Sequence, residues 1–194
     1  MTSLPDLRPE LASSYEQAAA VVSAVQPGQL GSPTPCRKMD VSALIDHLVF
    51  AARRGAGLGR GETPAAGATA PHLELSEATG LLGEARVDAK TAWADDASLE
   101  RSITMPWGET YPGAALAGMY FGELATHSWD LAFATGNTSL LDDKLGAAAL
   151  SCMQASIAPE HRTPEGEPFG PEVEAPDDAT AWERLAAFMG RQPR

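Results

Sequence analysis

Apolar residues recur along this chain mostly at three- and four-residue spacing, the period of a helix buried on one side. Between about 5 and 26 the stripe is Leu11, Tyr15, Ala18, Val22 and Val25, and Pro27 with Gly28 stops it. A loop rich in Pro and Gly, QPGQLGSPTPC, follows. Asp40 reads as the cap of a second helix, VSALIDHLVFAARRGAG, with the stripe Val41, Leu44, Ile45, Leu48 and Ala52. Gly55 and Gly57 are expected to weaken that helix, and residues 58–73 read as loose chain. A third helix is predicted over about 75–95, with Trp93 packing near its end. In RSITMPWGETY, β-type residues flank a Pro-Trp-Gly turn, which predicts a short hairpin over 101–111. The fourth helix is placed at about 112–135, with Pro112 in its first turn. A fifth, DDKLGAAALSCMQASI, carries acids at its start, where the helix dipole favours them. Residues 158–177, rich in Pro, Glu and Gly, read as irregular, and DATAWERLAAFMGR closes the chain as a short amphipathic helix.

Long helices with long connections predict an all-α fold, a four-helix bundle with a small hairpin. The expected organisation is a bundle domain over 1–157, with 158–194 an irregular extension carrying a short helix packed on the same domain.

Three ionisable residues, Glu123, His127 and Asp130, interrupt the fourth helix in FGELATHSWDLAFATG. Taking about 100° per residue from Leu116, the apolar stripe holds Met119, Tyr120, Leu131 and Ala134. Glu123 and His127 fall in the middle of it, and Asp130 lies on the same side. A buried carboxylate without a partner is costly, so it is protonated, paired or bound to a cation. A Glu–His hydrogen bond in the core, or in a cleft that water reaches, would satisfy it. A metal site would satisfy it too, given a third ligand. His47, at the edge of the second helix's stripe beside Leu44 and Ala51, offers one, although alone it reads as a flank histidine. Three protein ligands with an open fourth position describe a catalytic zinc site.

Asp130 is a candidate to orient a ligand histidine, or else a core-edge hydrogen-bonding group. Cys36 is either a buried small residue or a group near the site mouth, and Cys152 falls at a core position on the fifth helix. His72 and His161, in Pro-rich loops, are expected to face solvent. Trp107 and Trp129 read as packing groups. Hydrolysis through zinc-bound water would need a general base, for which Asp130 and Glu109 are the candidates.

The net charge of -12 changes the picture of partners, since it repels phosphate backbones and anionic lipid. Nucleic-acid and membrane partners are therefore not expected. Two cysteines far apart make no disulfide framework or CxxC motif. Neither a signal peptide nor a membrane-spanning run is legible, so a cytoplasmic protein is expected. It could be a monomer or a homodimer.

TPCRKMDVSALIDHLV resembles the opening of the actinobacterial mycothiol-dependent maleylpyruvate isomerase family. GELATHSWDLAFATG resembles that family's second signature, and PFGPEVEAPDDATAWERLAAFMGR the ending of a shorter metal-binding branch. The resemblance implies a DinB-like four-helix bundle in which His47, Glu123 and His127 bind a divalent ion, usually Zn2+. It also implies mycothiol as a thiol cosubstrate, with thiol transfer, addition or isomerisation on a small electrophilic substrate. A non-catalytic metal- or ligand-binding, stress-related protein is the alternative. Two departures stand out. Met39 occupies a position where the family usually has Trp, and residues 158–194 are too short for the isomerase's second domain.

Overall fold

The computed structural model describes residues 4–163 and 169–193. Its helices are α1 (Arg8–Ala24), α2 (Val41–Arg60), α3 (Leu75–Ala92), α4 (Ala97–Glu100), α5 (Gly113–Thr135), α6 (Asp143–Ser156) and α7 (Ala181–Phe188). One antiparallel hairpin pairs β1 (Ser102–Thr104) with β2 (Thr110–Pro112), in the register Ile103 opposite Tyr111. Helix α1 packs on α3 and α5, and α2 packs on the same two, so the four form a ring in the order α1, α3, α2, α5. Helix α6 covers α5, and α7 lies on both.

The stripes read from the sequence are the core. Leu11, Tyr15, Ala18 and Val22 of α1 and Val25 just after it are buried, as are Val41, Leu44, Ile45, Leu48 and Ala52 of α2. The caps follow from side-chain oxygens meeting orphan amides. Asp40 accepts from the Ala43 amide at 2.9 Å, and Asp142 from the Lys144 amide at 2.9 Å. Helix α5 is buried beyond its stripe, because α1, α2, α6 and α7 all rest on it.

Several expectations need correction. Helix α2 does not weaken at Gly55 and Gly57; it runs to Arg60. Its glycines are close-packing sites rather than breaks. A Cβ at Gly55 would lie 2.7 Å from the Tyr15 hydroxyl, and one at Gly59 would lie 2.8 Å from Trp93 Nε1. Helix α1 starts at Arg8, not near 5, and ends at Ala24, while α3 stops at Ala92. Pro112 is the extended residue before α5 rather than part of its first turn, because it closes the β ladder opposite Ser102. Trp107 is 54% exposed at the hairpin turn and is not a packing group, whereas Trp129 is buried and stacked on Phe133. The stretch expected to be irregular contains a turn of 3-10 helix at Pro159–His161, and its residues 164–168 lie outside those described.

Helix α7 ends in a way that matters for the site. The Arg191 amide bonds the Ala186 carbonyl at 2.8 Å and the Gly190 amide the Ala187 carbonyl at 3.0 Å. This is the paired Schellman closure, which requires a left-handed residue, and Gly190 supplies it at φ 77°. The turn sends Arg191 back under α5.

Candidate metal centre

His47 projects from α2, and Glu123 and His127 project from α5 one turn apart. The structure brings the three together. His47 Nε2 lies 2.7 Å from Glu123 Oε1, and His127 Nε2 lies 3.7 Å from the same oxygen. The two rings meet edge to face with centroids 4.7 Å apart. Each residue offers a ligand atom within 4.8 Å of the others. The cluster is not sealed: the Glu123 and His47 side chains are 39% and 29% exposed, while His127 is at 9%.

The charge balance favours an ionised carboxylate. Burial alone would raise the Glu123 pKa, but the His127 and His47 imidazoles, with help from Arg191, outweigh it and lower it to about 2. An anionic oxygen beside two imidazole nitrogens is a hard-and-borderline donor set that suits a divalent ion of the zinc type. Tetrahedral ligands at 2.0–2.2 Å from an ion stand roughly 3.4 Å from one another. The His127–Glu123 separation is close to that, and the His47–Glu123 hydrogen bond would lengthen to admit the ion.

Asp130 stands one turn beyond His127 and is fully buried, at 0%. Its Oδ2 lies 2.9 Å from His127 Nδ1. A carboxylate at Nδ1 takes that N–H and leaves Nε2 as the free lone pair facing Glu123. Asp130 is itself held by Arg191, whose Nε donates to Oδ1 at 3.1 Å and whose Nη2 donates to Oδ2 at 2.9 Å. Burial would raise the Asp130 pKa, but bonds from His127 and Arg191 bring it below its ordinary value. The Arg191 guanidinium also donates to the Met189 carbonyl at 2.9 Å, so the fork is fixed in place.

Sequence reasoning missed Arg191. The available signal was Asp130 itself, since an aspartate on a buried face needs a cation as well as an imidazole.

Cys36 is half-buried in the loop before α2, where Thr34 Oγ1 donates to the Cys36 carbonyl at 3.1 Å and to the Met39 carbonyl at 2.7 Å. Its sulfur groups with His127 and Asp130, not with His47 and Glu123. Burial and the Asp130 charge push its thiol pKa up. Cys152 is buried on α6. His72 is exposed and bonded to Asp46, at 3.1 Å from Nδ1 to Oδ2, and His161 lies in an exposed turn. Glu109 accepts from the Tyr111 hydroxyl and the Trp107 indole within the hairpin. Asp130 is committed to Arg191 and His127, so neither carboxylate stands free as a general base.

The helical bundle with its small two-stranded hairpin is a DinB-like helical fold. The chain belongs to the mycothiol maleylpyruvate isomerase N-terminal domain family, which residues 11–132 match. A protein of Mycobacterium tuberculosis described as uncharacterized, found in two strains, is 32% identical over 179 residues, covering 91% of this chain and 92% of its own length. Among solved structures, a point mutant of the mycothiol-dependent maleylpyruvate isomerase superposes with a TM-score of 0.63 at 17% identity, over 89% of this chain and 77% of that one. That likeness is one of fold. Among the described residues no helix is long and apolar enough to cross a membrane.

Proposed function

We propose that the chain is a divalent-metal enzyme that presents a low-molecular-weight thiol, mycothiol, to a small electrophilic substrate. His47, Glu123 and His127 would hold the ion, zinc first. The observation that carries this reading is the convergence of two imidazole nitrogens and an ionised carboxylate at a solvent-reached point on the bundle. When bound, the ion supplies Lewis-acid stabilisation of the thiolate form of the cosubstrate, the nucleophilic form.

The chain's own residues do the rest. Asp130 keeps the His127 proton on Nδ1, so that Nε2 is always the ligating atom. Arg191 fixes Asp130 and balances its charge. Glu123 stays ionised without a proton to lose. The open side of the cluster admits the thiol and the electrophile. Thiol transfer or addition follows from these roles, with isomerisation as a variant in which the thiol adds and later leaves.

Metal content of the purified protein, followed by turnover of a generic electrophile such as 1-chloro-2,4-dinitrobenzene with and without mycothiol, tests the proposal. Metal at one equivalent and thiol-dependent turnover that chelation abolishes are expected. Turnover that survives complete chelation overturns it.

A further inference from the structure

A second site lies two turns along α2 from His47. A cavity of about 320 Å³ opens between α2, the chain from 62 to 73, and α3. Val49, Phe50, Leu73 and Leu81 contribute apolar wall, and Arg53 and Arg54 line it as well. Arg8, Arg60, Arg86, Arg162 and Arg191 each pair with a carboxylate. Among the described residues, no carboxylate pairs with Arg53 or Arg54, although the chain carries a net charge of -12.

The one acidic residue on the cavity wall does not compensate them. Glu62 is engaged by Arg60, at 2.7 Å from Nε to Oε1 and 3.2 Å from Nη2 to Oε2. Arg54 is only half-buried; its guanidinium lies 4.8 Å over the Phe50 ring and hydrogen-bonds the Tyr120 side chain, which engages part of a five-donor fork and leaves further N–H groups to donate. Arg53 is exposed. Two forked cations over an apolar chamber make a receptor for an anion with an apolar body.

We propose that this cavity binds a small organic carboxylate with an aryl or branched acyl body, the carboxylate on Arg53 and Arg54 and the body against Phe50, Leu73 and Leu81. The site shares no residue with the metal cluster, so it stands whether or not the thiol-enzyme reading does.

The test uses the full chain stripped of metal by a chelator, so that the carboxylate has no ion to ligate. Calorimetric titration with 2-naphthoate should show saturable one-to-one binding. The neutral 2-naphthamide, with the same body, should bind about tenfold more weakly or worse, the expected loss of a hydrogen-bonded charge. Acetate, an anion without the body, should not bind detectably. Arg53→Gln changes an exposed side chain that pairs with no carboxylate among the described residues, so it should fold normally and weaken naphthoate several-fold. Arg53→Gln with Arg54→Gln should abolish binding, with circular dichroism reporting the fold. His127→Ala should bind naphthoate like the parent. Equal affinity for naphthoate and naphthamide, unchanged affinity in Arg53→Gln, or no saturable naphthoate binding would each overturn the proposal.

Discussion

His127 Nδ1 and Asp130 Oδ2 lie 2.9 Å apart on consecutive turns of α5, and the contact is buried on both sides. It joins the outward-reaching cluster of His47, Glu123 and His127 to the inward pair of Asp130 and Arg191. One imidazole thus faces an open site with one nitrogen and the core with the other.

On the open side, His127→Ala should remove most bound metal, because two remaining ligands hold an ion poorly. A ligand at about a thousand times its Kd stabilises a fold by about 4 kcal/mol. Chelation should therefore lower the melting temperature of the parent and leave that of His127→Ala almost unmoved. His72→Ala and His161→Ala should bind metal as the parent does. Elemental analysis with parallel thermal melts checks this, and full metal content in His127→Ala would remove the assignment.

On the core side, Arg191→Ala leaves the Asp130 charge buried with only an imidazole beside it. Losing one member of a buried pair typically costs about 3–5 kcal/mol. Metal affinity should fall about 10–100-fold, as it does when a group supporting a ligand histidine is lost. Urea unfolding and competition with a chromophoric chelator read the two effects separately. A variant with normal stability and normal affinity would show that Arg191 is idle.

Much of this site was legible because helices have a fixed period. About 100° per residue places Glu123, His127 and Asp130 on one side of α5, and the same arithmetic places His47 at the edge of the α2 stripe. Arg191 was hidden because its contact spans 61 residues and depends on the turn at Gly190, which periodicity does not encode. The end of α2 was misread for a related reason. Glycine signals a break in sequence statistics, but in a crowded bundle it also permits close approach. Which role applies depends on Tyr15 and Trp93, residues far off in the chain.

That second role is testable. Alanine is the better helix former by about 1 kcal/mol. At Gly59, however, a Cβ would meet the Ala92 Cβ at 2.9 Å and Trp93 Nε1 at 2.8 Å. Overpacking of this kind typically costs about 1–3 kcal/mol. Gly59→Ala should therefore destabilise the fold on balance, measured by urea midpoint, despite its gain in helix propensity. A stabilised variant would mean that α3 moves aside freely.

Acid should act on the metal-free protein through the depressed carboxylates. Glu123 is lowered from 4.5 to about 2, and Asp130 is also lowered. A depressed carboxyl contributes stability that is complete above its unfolded pKa and is lost as the pH falls through its folded one. Stability should thus decline from about pH 4 downward rather than in the neutral range. Asp130→Asn should flatten that decline, since one of the two groups no longer titrates. Urea midpoints at successive pH values decide it, and parallel curves for parent and variant would exclude Asp130 as a contributor.

Cys36 supplies the last prediction. Its sulfur groups with His127 and Asp130, which would make it a candidate fourth ligand and the centre a closed structural site. The bonding around it argues otherwise. His127 Nδ1 is taken by Asp130, Asp130 is taken by Arg191, and the raised thiol pKa disfavours the thiolate that a metal needs. Cys36→Ala should therefore keep a full equivalent of metal and an unchanged chelator-competition curve. With cobalt substituted for the native ion, parent and variant should show the same spectrum, without a sulfur-to-cobalt charge-transfer band from the protein. Adding mycothiol should create that band in both, because the exogenous thiol enters the coordination position that Cys36 leaves open. A band in the parent before any thiol is added, lost in Cys36→Ala, would identify a closed site and end the catalytic reading.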